Sequence, residues 1–273
     1  MQFDKIKEFK ANLKKFIPKM KDAKEKNLNE ADTRMRIRVL LSDVLGYDIL
    51  EEITQEHMVQ GHYVDLTVKA PLWDKKAGKY KPTIIFFIEA KSIETTLRDT
   101  HVYQATNYAA SGGVNLCLLT NGVDYRLYHL TWDKAKVEHS MILSLNLLDD
   151  NIDDLTEKLY LLSKESFKKG AIEKYINEKA SLSDRNMAAV LLSKRVLGAI
   201  RLELKTITGN NVNEDAIQYC LGKMFDPKLY EMAVSRIQKT VKKENKPSPA
   251  VIKETPVKIS NVVNLDTKAK DAV

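Results

Sequence analysis

The sequence predicts an α/β fold: a mixed β-sheet flanked by helices, followed by an all-helical domain. Three observations carry that expectation. Apolar residues recur at helical spacing up to about residue 45, alternate with period two from about residue 53, and return to helical spacing after about residue 149. The run Ile84-Ile85-Phe86-Phe87-Ile88 is unbroken, the mark of a central strand covered on both faces. Of 273 residues, 44% are hydrophobic and 30% charged, enough to bury a core and solvate its surface, which excludes wholesale disorder and collagen-like architectures.

Residues 1–26 read as a basic amphipathic helix. Nine lysines (5, 7, 10, 14, 15, 19, 21, 24 and 26) stand against Asp4, Glu8, Asp22 and Glu25, while Phe3, Ile6, Phe9, Leu13 and Ile17 make an apolar stripe. The charge either attracts phosphate or is simply the solvated face of a packed helix. A second helix is expected from Asn29 to Leu45, with Asn29 as its cap, Glu30 and Asp32 at its positive end and Gly46 as its stop. Residues 53–59 and 62–69 read as a strand pair turning at Gln60-Gly61, with Val64, Leu66 and Val68 on one face of the second strand and Tyr63, Asp65 and Thr67 on the other.

Residues 71–82, bounded by prolines, read as a polar loop joining two adjacent strands. The central strand follows over Thr83 to Lys91, then a helix from Glu94 to Ala110 closed by Gly112-Gly113, a buried strand from Val114 to Thr120, and a hairpin at Asn121-Gly122 into Tyr125 to Trp132. Together these elements define a domain over residues 27–148. Residues 149–245 form the helical domain, with helices expected at Ile152–Phe167, Asp184–Leu204, Asn213–Lys223 and Lys228–Lys243, and with Leu191, Leu192, Val196, Leu197, Ile200 and Leu204 packed inward. Residues 246–273 carry three prolines and no aromatic residue and read as a flexible tail.

Several function classes are excluded or left unsupported. No apolar run approaches the roughly 18 residues of a membrane span, and the N-terminus lacks the apolar core of a secretory signal. Cys117 and Cys220 are isolated, giving neither a disulfide framework nor a zinc site. A cytoplasmic protein is the expectation. No Gly-x-x-x-x-Gly-Lys-Ser/Thr loop is present, so the chain carries no ATP motor of that kind. The net charge of +7 hints at a polyanionic partner. His57, His62, His101, His129 and His139 make no metal-ligand spacing, although His101 lies three residues before Gln104. Trp73 and Tyr80, in a lysine-rich stretch, read either as bases' stacking partners or as incidental aromatics of a solvated loop.

The most informative triplet is Glu89-Ala90-Lys91. Glu-x-Lys also occurs at Glu8–Lys10, Glu203–Lys205 and Glu244–Lys246, so spacing alone carries nothing. Only Glu89 and Lys91 end a strongly apolar strand, where positions two apart share a face and two opposite charges emerge side by side. Charges buried there cost several kcal/mol unless a metal, a partner charge or a substrate compensates them. Asp65, on the polar face of the preceding strand, is expected to come near Glu89. Two carboxylates gathered in one place suit a hard divalent cation such as Mg²⁺, with a phosphodiester completing its shell and Lys91 orienting or activating water. The competing reading is a structural cluster of ion pairs.

Asn29-Glu30, Val64-Asp65, Ile88-Glu89-Ala90-Lys91 and Gln104-Ala105-Thr106-Asn107-Tyr108 together resemble the PD-(D/E)xK nuclease superfamily. Within it, they are similar to the N-terminal nuclease domain of type I restriction enzyme R subunits and stand-alone relatives. The resemblance covers roughly residues 27–132 and implies a restriction-endonuclease-like sheet. It implies that Asp65 and Glu89 hold Mg²⁺, for which Mn²⁺ substitutes, and that the Ala90 carbonyl and Glu30 complete the shell. It further implies that Lys91 serves the attacking water and that Gln104 and Tyr108, four apart on a helix, contact the nucleic-acid backbone or support the site. Val64 stands where the superfamily commonly has proline, and the helicase motor of a complete R subunit is missing from this chain. The expectation is a Mg²⁺-dependent deoxyribonuclease of restriction-modification or phage defence, acting alone, as a homodimer or with a defence-system partner. The alternative is a module of the same fold that binds nucleic acid or a partner without cutting, or one that merely inherits the fold.

Overall fold

The computed structural model describes residues 2–74, 76–133 and 136–244. The chain divides into two compact units, Met1–Ser183 and a second beginning at Asp184. The first unit holds α1 (Gln2–Glu25), α2 (Glu30–Val39) and one π-helical turn (Leu40–Val44). There follow β1 (Ile53–Val59), β2 (His62–Asp74), β3 (Lys79–Ala90), α3 (Asp99–Ser111), β4 (Leu116–Thr120), β5 (Asp124–Asp133) and β6 (Lys136–Asn146). It ends with α4 (Ile152–Tyr160), α5 (Lys164–Lys168) and α6 (Ala171–Ser181). The strands form one mixed sheet in the order β1-β2-β3-β4-β5-β6, antiparallel throughout except for the parallel β3–β4 pair, which α3 connects.

Each face of the sheet is covered. On one face, Leu66, Val68, Phe86 and Ile88 share a core with residues of α1, α2, α4 and α5. On the other, Val64, Phe87, Leu119 and Leu130 pack with Val102, Ala105 and Ala109 of α3. The continuous apolar strand expected over residues 83–91 is therefore the central β3, hydrophobic on both sides. Gln60 and Gly61 both take positive φ (47° and 85°), the type I′ geometry whose twist suits a two-residue hairpin between β1 and β2.

The basic N-terminal helix belongs to this unit and not to a separate arm. It buries Phe9, Leu13, Phe16, Met20 and Ala23 at alternating spacings of four and three, so its stripe runs on through Phe16 and Met20, with Ile17 at the margin. Four of the nine lysines of residues 1–26 pair with acids of the same unit: Lys5 with Glu165, Lys10 with Asp153, Lys19 with Asp43 and, just past the helix, Lys26 with Asp22. The solvated-face reading of those lysines is the one the packing supports.

Other differences from the sequence reading have physical causes. Residues 71–82 are not a loop: β2 and β3 run on as a two-stranded ribbon, with Pro71 opposite Pro82, Leu72 opposite Lys81 and Trp73 opposite Tyr80. Proline, lacking an N–H, is tolerated because neither strand has a further neighbour there among the described residues. The true turn is shorter, with Gly78 N–H donating to the Asp74 carbonyl and Asp74 Oδ1 accepting from Lys76 and Ala77. The helix expected from Glu94 starts only at Asp99, because Ser92 to Arg98 form a loop in which Ser92 and Thr95 hydroxyls bond at 2.6 Å and Asn121 Nδ2 donates to the Thr95 carbonyl.

Two expected helices are each broken in two, and both breaks fall at the tetrapeptide Leu-Leu-Ser-Lys, at residues 161–164 and 191–194. Ser163 and Ser193 sit extended at the N-caps of α5 and of α8 (Lys194–Thr208), and their hydroxyls donate back to Tyr160 and Val190 carbonyls. The helix α6, which follows Gly170, was not anticipated; it buries Ile172 and reaches the sheet through Lys179 Nζ, which donates to the Ile142 carbonyl at 2.6 Å. Because α4, α5 and α6 pack in the first unit, the boundary falls after Ser183 and not near residue 149.

The second unit contains α7 (Asp184–Leu191), α8, α9 (Glu214–Gly222) and α10 (Pro227–Glu244). Its core is small: Ala188, Ala189, Leu192 and Ala233, edged by Leu221, Phe225, Leu229 and Tyr230. Of the six residues expected inward, Leu192 and Leu197 are buried and the other four are half-buried. The expected tail, 246–273, lies outside the described residues.

Candidate active site

The β2–β3 ladder stops at Leu66 opposite Ile88. One step further, Asp65 and Glu89 would face each other, but there the backbones part, and Asp65 Oδ2 accepts the Ala90 N–H at 2.8 Å in place of a backbone carbonyl. The strands also change face at this point. Val64 enters the α3-side core while Leu66 and Val68 enter the opposite one, so the three residues do not share a face as the simple alternation predicts. The same break appears across β1, where Gln55 pairs with Leu66 and His57 with Val64 but Glu56 and Asp65 do not pair. Glu56 takes φ of 50°, a left-handed conformation that costs a non-glycine residue about 1 kcal/mol.

Glu89 is buried, and Lys91 reaches it along the strand at 2.6 Å. Lys91 Nζ also donates to Gln104 Oε1 at 3.2 Å, and Gln104 Nε2 donates to the Tyr108 hydroxyl at 3.2 Å. A single chain of hydrogen bonds thus runs from α3 through Lys91 to Glu89. Gln104 and Tyr108 share a helix face, as the spacing requires, and here they brace the lysine. The Lys91 backbone is fixed in turn by its N–H donating to Thr120 of β4.

The electrostatics follow from this burial. Loss of water pushes the Glu89 carboxyl up to about 7; the bond from Lys91 opposes that rise, and the charges of Asp65 and Glu30 add to it. Burial works against the charge on Lys91 as well, but the bond to Glu89 and the charges of Glu89, Glu30 and Asp65 outweigh it and hold its pKa above the usual lysine range. Beneath the site, burial and the Glu89 charge push the Cys117 thiol up to about 12, which leaves it an inert core group. His101, by contrast, caps α3: its Nδ1 accepts the Arg98 N–H at 3.2 Å, and burial together with Lys91 and Arg98 lowers its pKa.

Two residues of the cluster escaped the sequence reading. Arg34 of α2 lies 3.3 Å from Asp65, 3.6 Å from Glu30 and 3.7 Å from Glu56, and its buried Nε has no hydrogen-bond partner. The signal that points to it is Glu30-x-x-x-Arg34, a helical pair one turn apart. Glu56 carries no signal of its own, because its position depends on a backbone break that side-chain periodicity does not record. Glu30 stands at the start of α2, linked to the cluster through Arg34.

The donors at the opened ladder are all oxygen. Mg²⁺ is commonly held by one or two carboxylates, with water and substrate phosphate filling its shell, and Asp65 and Glu89 fit that pattern. Among the described residues no group of three or more His, Cys, Asp or Glu gathers as a closed cage. In this structure the two carboxylates are neutralised by protein cations, Asp65 by Arg34 and Glu89 by Lys91.

No curated protein and no solved structure matches the chain. Residues 29–143 match the family described as type I restriction enzyme R protein N terminus (HSDR_N). That stretch begins at the cap of α2, contains Glu30, Arg34, Asp65, Glu89, Lys91, Gln104 and Tyr108, and ends within β6. The domain that carries the site thus resembles the N-terminal part of type I restriction enzyme R proteins.

Proposed function

We propose that this domain hydrolyses phosphodiester bonds of DNA with the aid of a divalent cation, in a restriction or phage-defence role. The observation that supports it best is the meeting of Asp65, Glu89 and Lys91 where the β2–β3 ladder opens, inside the stretch matched to the restriction-enzyme family. A buried acid held against a lysine at a strand end costs stability, and such expense is characteristic of functional sites. A bound Mg²⁺, or Mn²⁺ in its place, supplies positive charge against the phosphate in the transition state. Asp65 and Glu89 hold it, with the Ala90 carbonyl and Glu30 as the further candidates. Lys91, kept protonated by its acidic neighbours, donates hydrogen bonds only and so orients the attacking water. Gln104 and Tyr108 keep that ammonium aimed.

The second reading is a module of the same fold that binds without cutting. What favours it is that Arg34 and Lys91 already satisfy both carboxylates. The two separate on incubation of the pure protein with supercoiled plasmid, linear duplex and single-stranded DNA in Mg²⁺, Mn²⁺ or EDTA, beside Asp65→Ala and Lys91→Ala. The nuclease reading expects metal-dependent cutting that Asp65→Ala abolishes and that Lys91→Ala slows by about 10²-fold or more with metal affinity retained. No cutting in any metal, with binding that weakens as salt rises, would establish the non-cleaving module instead.

A further inference from the structure

The end of the sheet remote from the acids carries the opposite chemistry. Between Asp65 and Glu89 the sequence holds five lysines and one acid, Asp74. The Asp74 carboxylate is turned inward on the N–H groups of its own turn, and those bonds lower its pKa. Lys76, Lys79 and Lys81 are exposed. Beside them Trp73 and Tyr80, a cross-strand pair, are 55% and 64% exposed, the kind of aromatic surface that soluble chains usually bury. The arm has open edges among the described residues: β1 reaches β2 only as far as Val68, and β4 joins β3 only from Phe87.

We infer that the β2–β3 arm, residues 69–74 and 76–82, is a duplex-DNA contact, its ribbon entering a groove with Lys76, Lys79 and Lys81 on the phosphates and Trp73 and Tyr80 against the groove wall. The inference rests on the reading of the domain as DNA-acting and adds to it the place where the duplex is gripped. Charge selects a polyanion. Shape selects a duplex: the major groove, about 12 Å wide, admits a two-stranded β-ribbon. Trp73 and Tyr80 pack edge to face, with ring centroids 5.2 Å apart, so no base of a single strand can slot between them. Trp73 lies eight residues along β2 from Asp65, about 26 Å at strand rise, which is about 8 base pairs of duplex. A single short duplex is therefore long enough to reach from the acids to the arm.

The chain has two tryptophans, Trp73 and Trp132, so Trp132→Phe leaves a full-length protein whose tryptophan emission reports on the arm alone. Titrated in EDTA with a 24-base-pair duplex, this protein should change its emission as the duplex binds, whereas the single strand of the same sequence should bind more weakly. In a Lys76→Glu, Lys79→Glu, Lys81→Glu variant of unchanged melting temperature, the slope of log affinity against log salt should be shallower by about 3. The neutral Lys→Gln triple variant serves if the Glu form does not fold. A saturating duplex that leaves the emission unchanged, a preserved salt slope, or a preference for the single strand would each overturn the arm. Plasmid cutting by a chain whose Trp73 never responds overturns the arm and leaves the nuclease reading standing; a Trp73 response in a chain that never cuts does the reverse.

Discussion

Two Glu-x-Lys triplets of this chain share a spacing and nothing else. Glu89-Ala90-Lys91 ends β3, where a period of two turns both charges to one side and brings them to 2.6 Å. Glu203-Leu204-Lys205 lies on α8, where residues two apart point to different sides, and its Glu and Lys are both exposed. Water supports each of the α8 charges singly. The β3 pair has lost that support, so Glu89 depends on Lys91, and Lys91 on Glu89 and Gln104. The difference shows that a charge pattern becomes chemistry through burial and backbone period, not through spacing.

The comparison breaks most directly at the two glutamates. Glu89→Ala should lower any metal-dependent cutting by about 10³-fold or more, since in the proposed mechanism Glu89 would hold the cation and its loss would remove several kcal/mol from the transition state. Glu203→Ala should leave it unchanged. Rates on supercoiled plasmid, with circular dichroism to show both variants folded, measure this. Equal loss in the two variants would mean that the β3 context confers nothing.

Much of this contrast is legible without coordinates. The apolar run Ile84–Ile88 ending in Glu89 locates a central strand, and the order of the two consecutive strands brings Asp65 to its end. What stays hidden are the places where the backbone breaks its own period. Glu56, at positive φ, and the change of face between Val64 and Leu66 decide how Asp65 leaves the ladder, yet β-strand periodicity assumes that no such break exists. Arg34 was hidden differently: Glu30-x-x-x-Arg34 reads as an ordinary helical ion pair, and its role as counter-cation to Asp65 exists only once α2 meets β2. The Leu-Leu-Ser-Lys breaks were legible as serine caps but are masked by the leucines, which continue an apolar stripe. The ribbon at 71–82 was masked by its prolines, which are compatible with strand when no third strand needs their N–H.

A second contrast concerns stability. Burial holds the Glu89 pKa near 7 against an ordinary value of 4.5, so the folded chain keeps a proton that the unfolded chain has released between those values. Folding stability in EDTA is therefore highest below pH 4.5, as far as this group is concerned, and falls by ~3 kcal/mol as pH rises through about 7. Glu89→Gln, which mimics the protonated form, should remove that slope and be the more stable protein at pH 8, while cutting no DNA. Urea denaturation at pH 5 and pH 8 measures the slope, and the exposed Glu203→Gln should show no difference from the parent. A parent chain equally stable at both pH values, with Glu89→Gln no better at pH 8, would mean that water reaches Glu89 as freely as it reaches Glu203.

The smallest expected effect tests the brace on the lysine. Gln104 is the sole described side chain other than Glu89 that accepts a hydrogen bond from Lys91 Nζ, and its own amide is anchored on Tyr108. Gln104→Leu keeps the helix volume and removes the acceptor, leaving Lys91 free to swing about Glu89. Groups that hold an active residue in place through a hydrogen bond typically carry 10- to 100-fold of activity. Gln104→Leu should thus lower kcat by about 10-fold with little change in KM, because the contacts of Gln104 are to Lys91 and Tyr108 and only the aim of the ammonium is lost. Gln104→Glu restores an acceptor and should recover part of the rate. If Gln104 served the nucleic-acid backbone instead, KM would rise and the added charge of Gln104→Glu would raise it further, so the split between the two constants assigns the residue to the lysine or to the DNA.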